Sequence, residues 1–161
     1  MSNIPPNSPY VNYPRSGGGA DATRLRLLAD GYFGLNTVFV INVVLNLAVN
    51  SMSRATNPNW TIIIGILIAT FVLVVFLTLP HTKKVGEGLG WQPSGHIIAS
   101  VLIGLNSAIC CGAIGYIVVQ SMAGKVLKEA GAPRGFFGYK KADLYAFIDQ
   151  MGATAPPSGP I

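Results

Sequence analysis

Side chains that could move a proton, hold a metal or attack a carbonyl are few in this chain, and their spacing suits none of those tasks. His81, Glu87 and His96 stand six and nine residues apart, which fits no compact ligand pattern. Cys110 and Cys111 are adjacent inside an apolar run, with no metal-ligand spacing and no reach to a distant disulfide partner. The GEGLG run at 86–90 lacks the strand and the lysine or acid that a phosphate-cradling glycine loop requires. No metal or cofactor is therefore expected, and no catalytic set of Ser, His, Asp or Cys can be assembled. What is left is hydrogen bonding by neutral amides: Asn36, Asn42, Asn46 and Asn50, the last three spaced four apart in the otherwise aliphatic FVINVVLNLAVN.

On a helix that advances about 100° per residue, the four amides fall in one sector of about 120°. Val38, Val40, Ile41, Val44, Leu45 and Ala48 occupy the other side. An amide without a partner in hydrocarbon is unfavourable by several kcal/mol, so this face requires a second helix or a wet cavity. A matching surface exists further on, where Ser100, Gly104, Ser107, Ala108, Cys111, Gly112 and Gly115 lie within about 140° on the same geometry. Small residues let backbones approach and expose carbonyls to amide donors, so the two faces are expected to pack together. Asn106 points away from that small face and needs another partner, either Thr70 or a second chain.

The elements that position these residues read as membrane helices. Half of the 161 residues are hydrophobic and 11% are charged, against roughly a quarter charged in an ordinary soluble domain. The charges avoid three windows, at about 32–50, 60–79 and 97–120. The middle one, Trp60 to Leu79, is about 20 residues without a charge, enough to cross roughly 30 Å of hydrocarbon. The expected fold is all-α: a polytopic integral membrane protein with three transmembrane helices and short amphipathic flanking helices. No cleavable leader is recognised in the Pro- and Gly-rich opening, so the first span is expected to serve as the membrane signal.

The flanks follow from composition. Residues 1–20 and 153–161 are expected to be disordered tails. DATRLRLLAD reads as a short headgroup-level helix, or the first turns of a bent one, before Gly31 and Gly34. PHTKKVGEGLGWQPSGH reads as a loop. Beyond the third span, 121–152 reads as a basic amphipathic region in which Gly131 stops one helix and Leu144, Phe147, Ile148 and Met151 mark another. Arg24, Arg26, Trp60, Lys83, Lys84, Trp91, Lys125, Lys128, Lys140 and Lys141 are expected at the membrane interface, the cations facing anionic headgroups. Three spans divide the cations five against six, which leaves orientation nearly undecided; the arginines before the first span favour a cytoplasmic N-terminus. Net charge is +5 without any nucleic-acid motif, so no nucleic acid is expected.

Function is then expected to be structural, assembly or regulatory, through helix packing with copies of itself or with other membrane subunits. The alternative is a homo-oligomeric channel or carrier for a small solute or ion, lined by the first-span asparagines. Enzymatic activity is not expected. The default location is a bacterial inner membrane.

Overall fold

Residues 18 to 53 form one unbroken helix, α1 (Gly18–Ser53), with Gly31 and Gly34 in its middle. The glycines do not interrupt it because they are where it meets the next helix, α2 (Trp60–Leu89). A Cβ on Gly31 would stand 2.5 Å from Val85 Cγ2 and 2.8 Å from the His81 carbonyl oxygen, and one on Gly34 would collide with the His81 ring. Close packing of the two rods offsets the roughly 1 kcal/mol that each glycine takes from a helix relative to alanine. The amphipathic turns at 21–30 are thus the upper part of a single rod about 54 Å long, not a separate headgroup helix.

This computed structural model describes residues 18–54, 57–109, 113–135 and 138–153, with the backbone alone at 18–20, 108 and 109. Of the tails expected at 1–20 and 153–161, residues 1–17 and 154–161 lie outside the described residues, as do Cys111 and Gly112; Gly18 to Ala20 instead begin α1, and Ala153 ends the last helix. Among the described residues the chain is all-helical, and the sole extended pairing is an isolated bridge between Gly135 and Gly138.

The second helix departs from expectation at its far end. Asn59 caps its start by accepting the Ile62 N–H at 3.3 Å, and the helix then runs through Pro80 to Leu89. A loop was expected from Pro80, since an interior proline removes a hydrogen bond and disfavours a helix by about 3 kcal/mol. Tertiary burial overrides that preference: Val85 and Leu89 are buried, and Gly88 receives Leu28, whose Cγ would lie 2.5 Å from a Cβ there. The real stop is Gly90 at φ 72°, where the Trp91 N–H bonds the Gly86 carbonyl at 2.8 Å. That 6→1 bond is the Schellman pattern, and a left-handed residue is least strained as glycine.

The third apolar window is not one helix. It forms α3 (Pro93–Ile109) and α4 (Ala113–Glu129), on either side of 110–112. A Cβ on Gly115 would stand 3.2 Å from the Ile103 Cα, whereas twelve residues of continuous helix would separate the two by about 18 Å. The chain folds back, and Gly115 supplies the close approach. The last helix, α5 (Lys141–Ala153), lies on the N-terminal half of α1. Its Leu144 and Ile148 are buried, with Phe147 and Met151 partly buried beside them.

Two helices, α1 and α2, are long and apolar enough to cross a membrane, where three had been expected. In each, 22% of the most apolar window is buried, so the hydrophobic surface faces outward, unlike that of a soluble core helix. The well-packed core sits at one end of the α1–α2 pair, where Leu28, Leu35, Val85, Leu127, Leu144 and Ile148 are almost fully buried.

Candidate functional site

Among the described residues, only one of the four first-span amides reaches another helix. Gln120 Nε2 of α4 donates to Asn36 Oδ1 at 2.8 Å. The rest of the ladder runs along α1 itself: Asn46 Nδ2 donates to the Asn42 carbonyl at 2.9 Å and to Asn42 Oδ1 at 3.0 Å, and Asn50 Nδ2 donates to the Asn46 carbonyl at 3.0 Å. Spacing by four residues makes this possible, because side chain i+4 lies one turn beyond carbonyl i. Asn42 is fully buried, and its Nδ2 has no partner among the described residues. Asn46 is half-buried and Asn50 exposed.

The described small residues pack elsewhere than on this ladder. Fully buried Ser100 Oγ lies 2.6 Å from Thr82 Oγ1 of α2 and donates to the His96 carbonyl at 2.9 Å. Gly104 also faces α2, where a Cβ would stand 2.5 Å from Val75 Cγ2 and 3.1 Å from the Phe71 ring. Ser107 is buried and donates to the Ile103 carbonyl of its own helix at 2.8 Å. Gly115 packs on α3. The Ala108 side chain, Cys111 and Gly112 lie outside the described residues. The fold-back explains the difference: α3 occupies the groove on α2, and beyond Asn36 the asparagines bond along α1. Asn106 is half-buried, with no partner for its Oδ1 among the described residues, and Thr70 is buried in α2.

At the packed end the charged groups form a collar. Lys84 Nζ donates to Asp30 Oδ2 at 3.0 Å, and the Tyr145 hydroxyl donates to the other oxygen of the same carboxylate, so one acid ties α1 to α2 and to α5. Burial, reinforced by that hydrogen bond and charge, pushes the Tyr145 phenol up to about 12. Arg24 Nε donates to the Gly88 carbonyl at 2.5 Å. Arg26 pairs with Asp149 at 3.6 Å and Lys83 with Glu87 at 3.9 Å; both pairs are well exposed and so contribute little.

The interface residues separate accordingly. Arg24 and Lys84 turn inward to bond across helices, while Lys125, Lys128, Lys140 and Lys141 stay exposed. Trp60 is exposed at the opposite end, and Trp91 is half-buried between Gly86 and Gly95. Sequence reasoning missed Gln120, Thr82 and Tyr145 as partners. Gln120 had a signal, as the lone amide ending an apolar run; Tyr145 had none, because its partner lies 115 residues away.

The collar also changes the charge count. Because α2 returns antiparallel to α1 and α4 returns antiparallel to α3, Arg24, Arg26, Lys83, Lys84, Lys125, Lys128, Arg134, Lys140 and Lys141 share one end. All six acids, Asp21, Asp30, Glu87, Glu129, Asp143 and Asp149, lie there too. Among the described residues, Arg54 is the one cation at the other end.

No protein-family model matches this chain, and neither a curated protein nor a solved structure does so.

Proposed function

We propose that this chain is an integral membrane protein whose work is assembly: it holds partner helices in the bilayer through the uncovered half of the α1–α2 hairpin. The observation that carries the reading is where α3 ends. Gly104 lies against Phe71 and Val75 and α3 runs five residues further, to Ile109, so α3 covers one side of α2 and leaves the outer side of the far half of the hairpin uncovered. There Val40, Val44, Leu47, Ile62, Ile64 and Ile68 are each more than half exposed, with Asn50 exposed and Asn46 half-buried at the edge of the same surface. An amide facing lipid gains by meeting a helix, at about 0.6 to 2 kcal/mol per interhelical bond. The partner helix comes from a second copy or from another membrane subunit.

In this reading α1 and α2 span, and the α3–α4 hairpin enters and leaves by the same face. Seventeen residues each give helices of about 25 Å, short of a hydrocarbon core of roughly 30 Å. The cation count among the described residues, nine against one, then favours a cytoplasmic collar under the positive-inside rule. The bacterial inner membrane expected from the sequence has no support in the fold, and the bilayer is left unspecified. No reaction is proposed.

The test replaces Asn46→Leu together with Asn50→Leu and follows association by crosslinking and by mass in mild detergent. Weakened association with the fold retained is the expected result. Unchanged association refutes the surface. If cysteines placed at 42 and 46 are instead labelled by water-soluble reagents and the Leu variant abolishes a solute flux, the channel alternative replaces it.

A further inference from the structure

Where α4 ends, the chain turns through Gly131 at φ 87° and runs back past Tyr139 toward α5. Between this turn, α4 and α1 lies a cleft of about 350 Å³, lined by Tyr32, Ile117, Lys125, Lys128, Arg134 and Tyr139 among others. Three of its side chains are cationic, and no carboxylate is among the residues that line it. Its wall is fixed: Tyr139 is buried, donates to the Gly124 carbonyl at 2.8 Å, and meets Tyr32 edge-to-face at 5.7 Å between ring centroids. That bond uses the hydroxyl proton.

We propose that this cleft binds the phosphate of a single anionic phospholipid, with its acyl chains laid along α4. The level is right for a headgroup. Tyr32 opens the apolar stretch of α1, two residues beyond the Asp30–Lys84 pair, so the cleft sits where the charged collar meets the apolar belt. The direction is right for chains. Ile117 lines the cleft and Ile114 lies one turn further from the collar on the same face; they are 60% and 61% exposed. The C-terminus of α4 opposes an anion with a partial charge of roughly −0.5. Lys128 and Leu127 carbonyls there already accept the Gly131 and Ala132 N–H groups, each at 3.0 Å, and three full positive charges exceed what remains. Compared with the exposed Lys83–Glu87 pair at the other side of the collar, Lys128 and Arg134 enter none of the described ion pairs.

This site requires a bilayer but no partner helix, so a failure of the assembly reading leaves it standing. The experiment is native mass spectrometry of the full chain in mild detergent with equimolar phosphatidylglycerol and phosphatidylcholine. The wild type should retain one phosphatidylglycerol in preference. Lys128→Gln with Arg134→Gln should lower that preference roughly 30-fold, at about fivefold per juxtamembrane cation. Lys128→Arg with Arg134→Lys, and separately Lys83→Gln, should keep it. Circular dichroism checks that the double variant is folded; if it is not, Arg134→Gln alone carries the test from the turn beyond α4, with an expected loss of about fivefold. Equal retention of the two lipids by the wild type, or a preference that survives loss of the cations, overturns the proposal. Displacement of the lipid by excess inorganic phosphate would also overturn it, by making the cleft a site for the free anion.

Discussion

Whether the third apolar window folds back or runs straight decides which end of the molecule carries each charge, and one crosslink tests it. In the structure an ideal Cβ on residue 115 lies 3.6 Å from the Ile103 Cβ. Disulfides require Cβ atoms about 3.5–4.5 Å apart. The straight alternative puts the same positions about 18 Å apart, beyond any bridge. Ile103→Cys with Gly115→Cys, in a background where Cys110 and Cys111 are alanine, should therefore oxidise within one chain. Closing a loop of about 12 residues should raise stability by about 3 kcal/mol on the chain-entropy estimate. Native-state strain lowers that gain, so formation of the bridge is the primary readout. After mild oxidation in detergent and in vesicles, denatured protein is treated with a maleimide-coupled polymer. Two blocked thiols are the expected outcome. Two thiols that remain fully reactive under conditions that oxidise a surface control pair would refute the fold-back, and with it the nine-against-one distribution of the described cations and the proposed orientation.

Two further outcomes follow from bonds already described. Thr82→Val and Ser100→Ala each remove one member of a hydroxyl pair 2.6 Å apart, but each survivor keeps a carbonyl of its own helix, Thr78 at 3.1 Å or His96 at 2.9 Å. Each single change should lower stability by about 1 kcal/mol, and the double change by less than the sum, with about 1 kcal/mol of coupling in a thermal or denaturant double-mutant cycle; strict additivity would show that the pair does not form. Tyr145 has a folded-state phenol raised to about 12, above the usual value of about 10. A raised acid favours the folded state below the unfolded value and loses that contribution as pH climbs through the folded one, so the tie to Asp30 should persist to about pH 10 and be gone above about 12. Ultraviolet titration should lose one late-ionising phenol in Tyr145→Phe; a Tyr145 that ionises near 10 would contradict the bond.

Local pattern is legible in this chain where one helix suffices to explain it. Periodicity marks Leu144 and Ile148 as the buried face of α5, and four-residue spacing marks the asparagine ladder of α1. It fails where two helices must meet. Pro80, Gly86 and Gly88 read as a loop because each is poor in a helix by itself, yet Leu28 arriving against Gly88 and Trp91 arriving against Gly86 make helix the better state. Gly31 and Gly34 read as interruptions for the same reason, and prove to be the contact between α1 and α2. The small residues Ser100, Gly104 and Gly115 read as a close-packing set, but which neighbour each approaches depends on α4 returning against α3, and an unbroken apolar run contains nothing that marks the return.

By itself, then, the sequence determines that the chain is helical, that its charges shun long apolar stretches, and that amides recur along one sector of the first helix, since each is a property of residues a few positions apart. Only the tertiary structure decides that the third stretch returns on itself, that Asp30 joins three helices, and that the cations gather at one end. Those depend on antiparallel returns between residues from 12 to 115 positions apart, where the free energy lies in the fit of surfaces that no single helix carries.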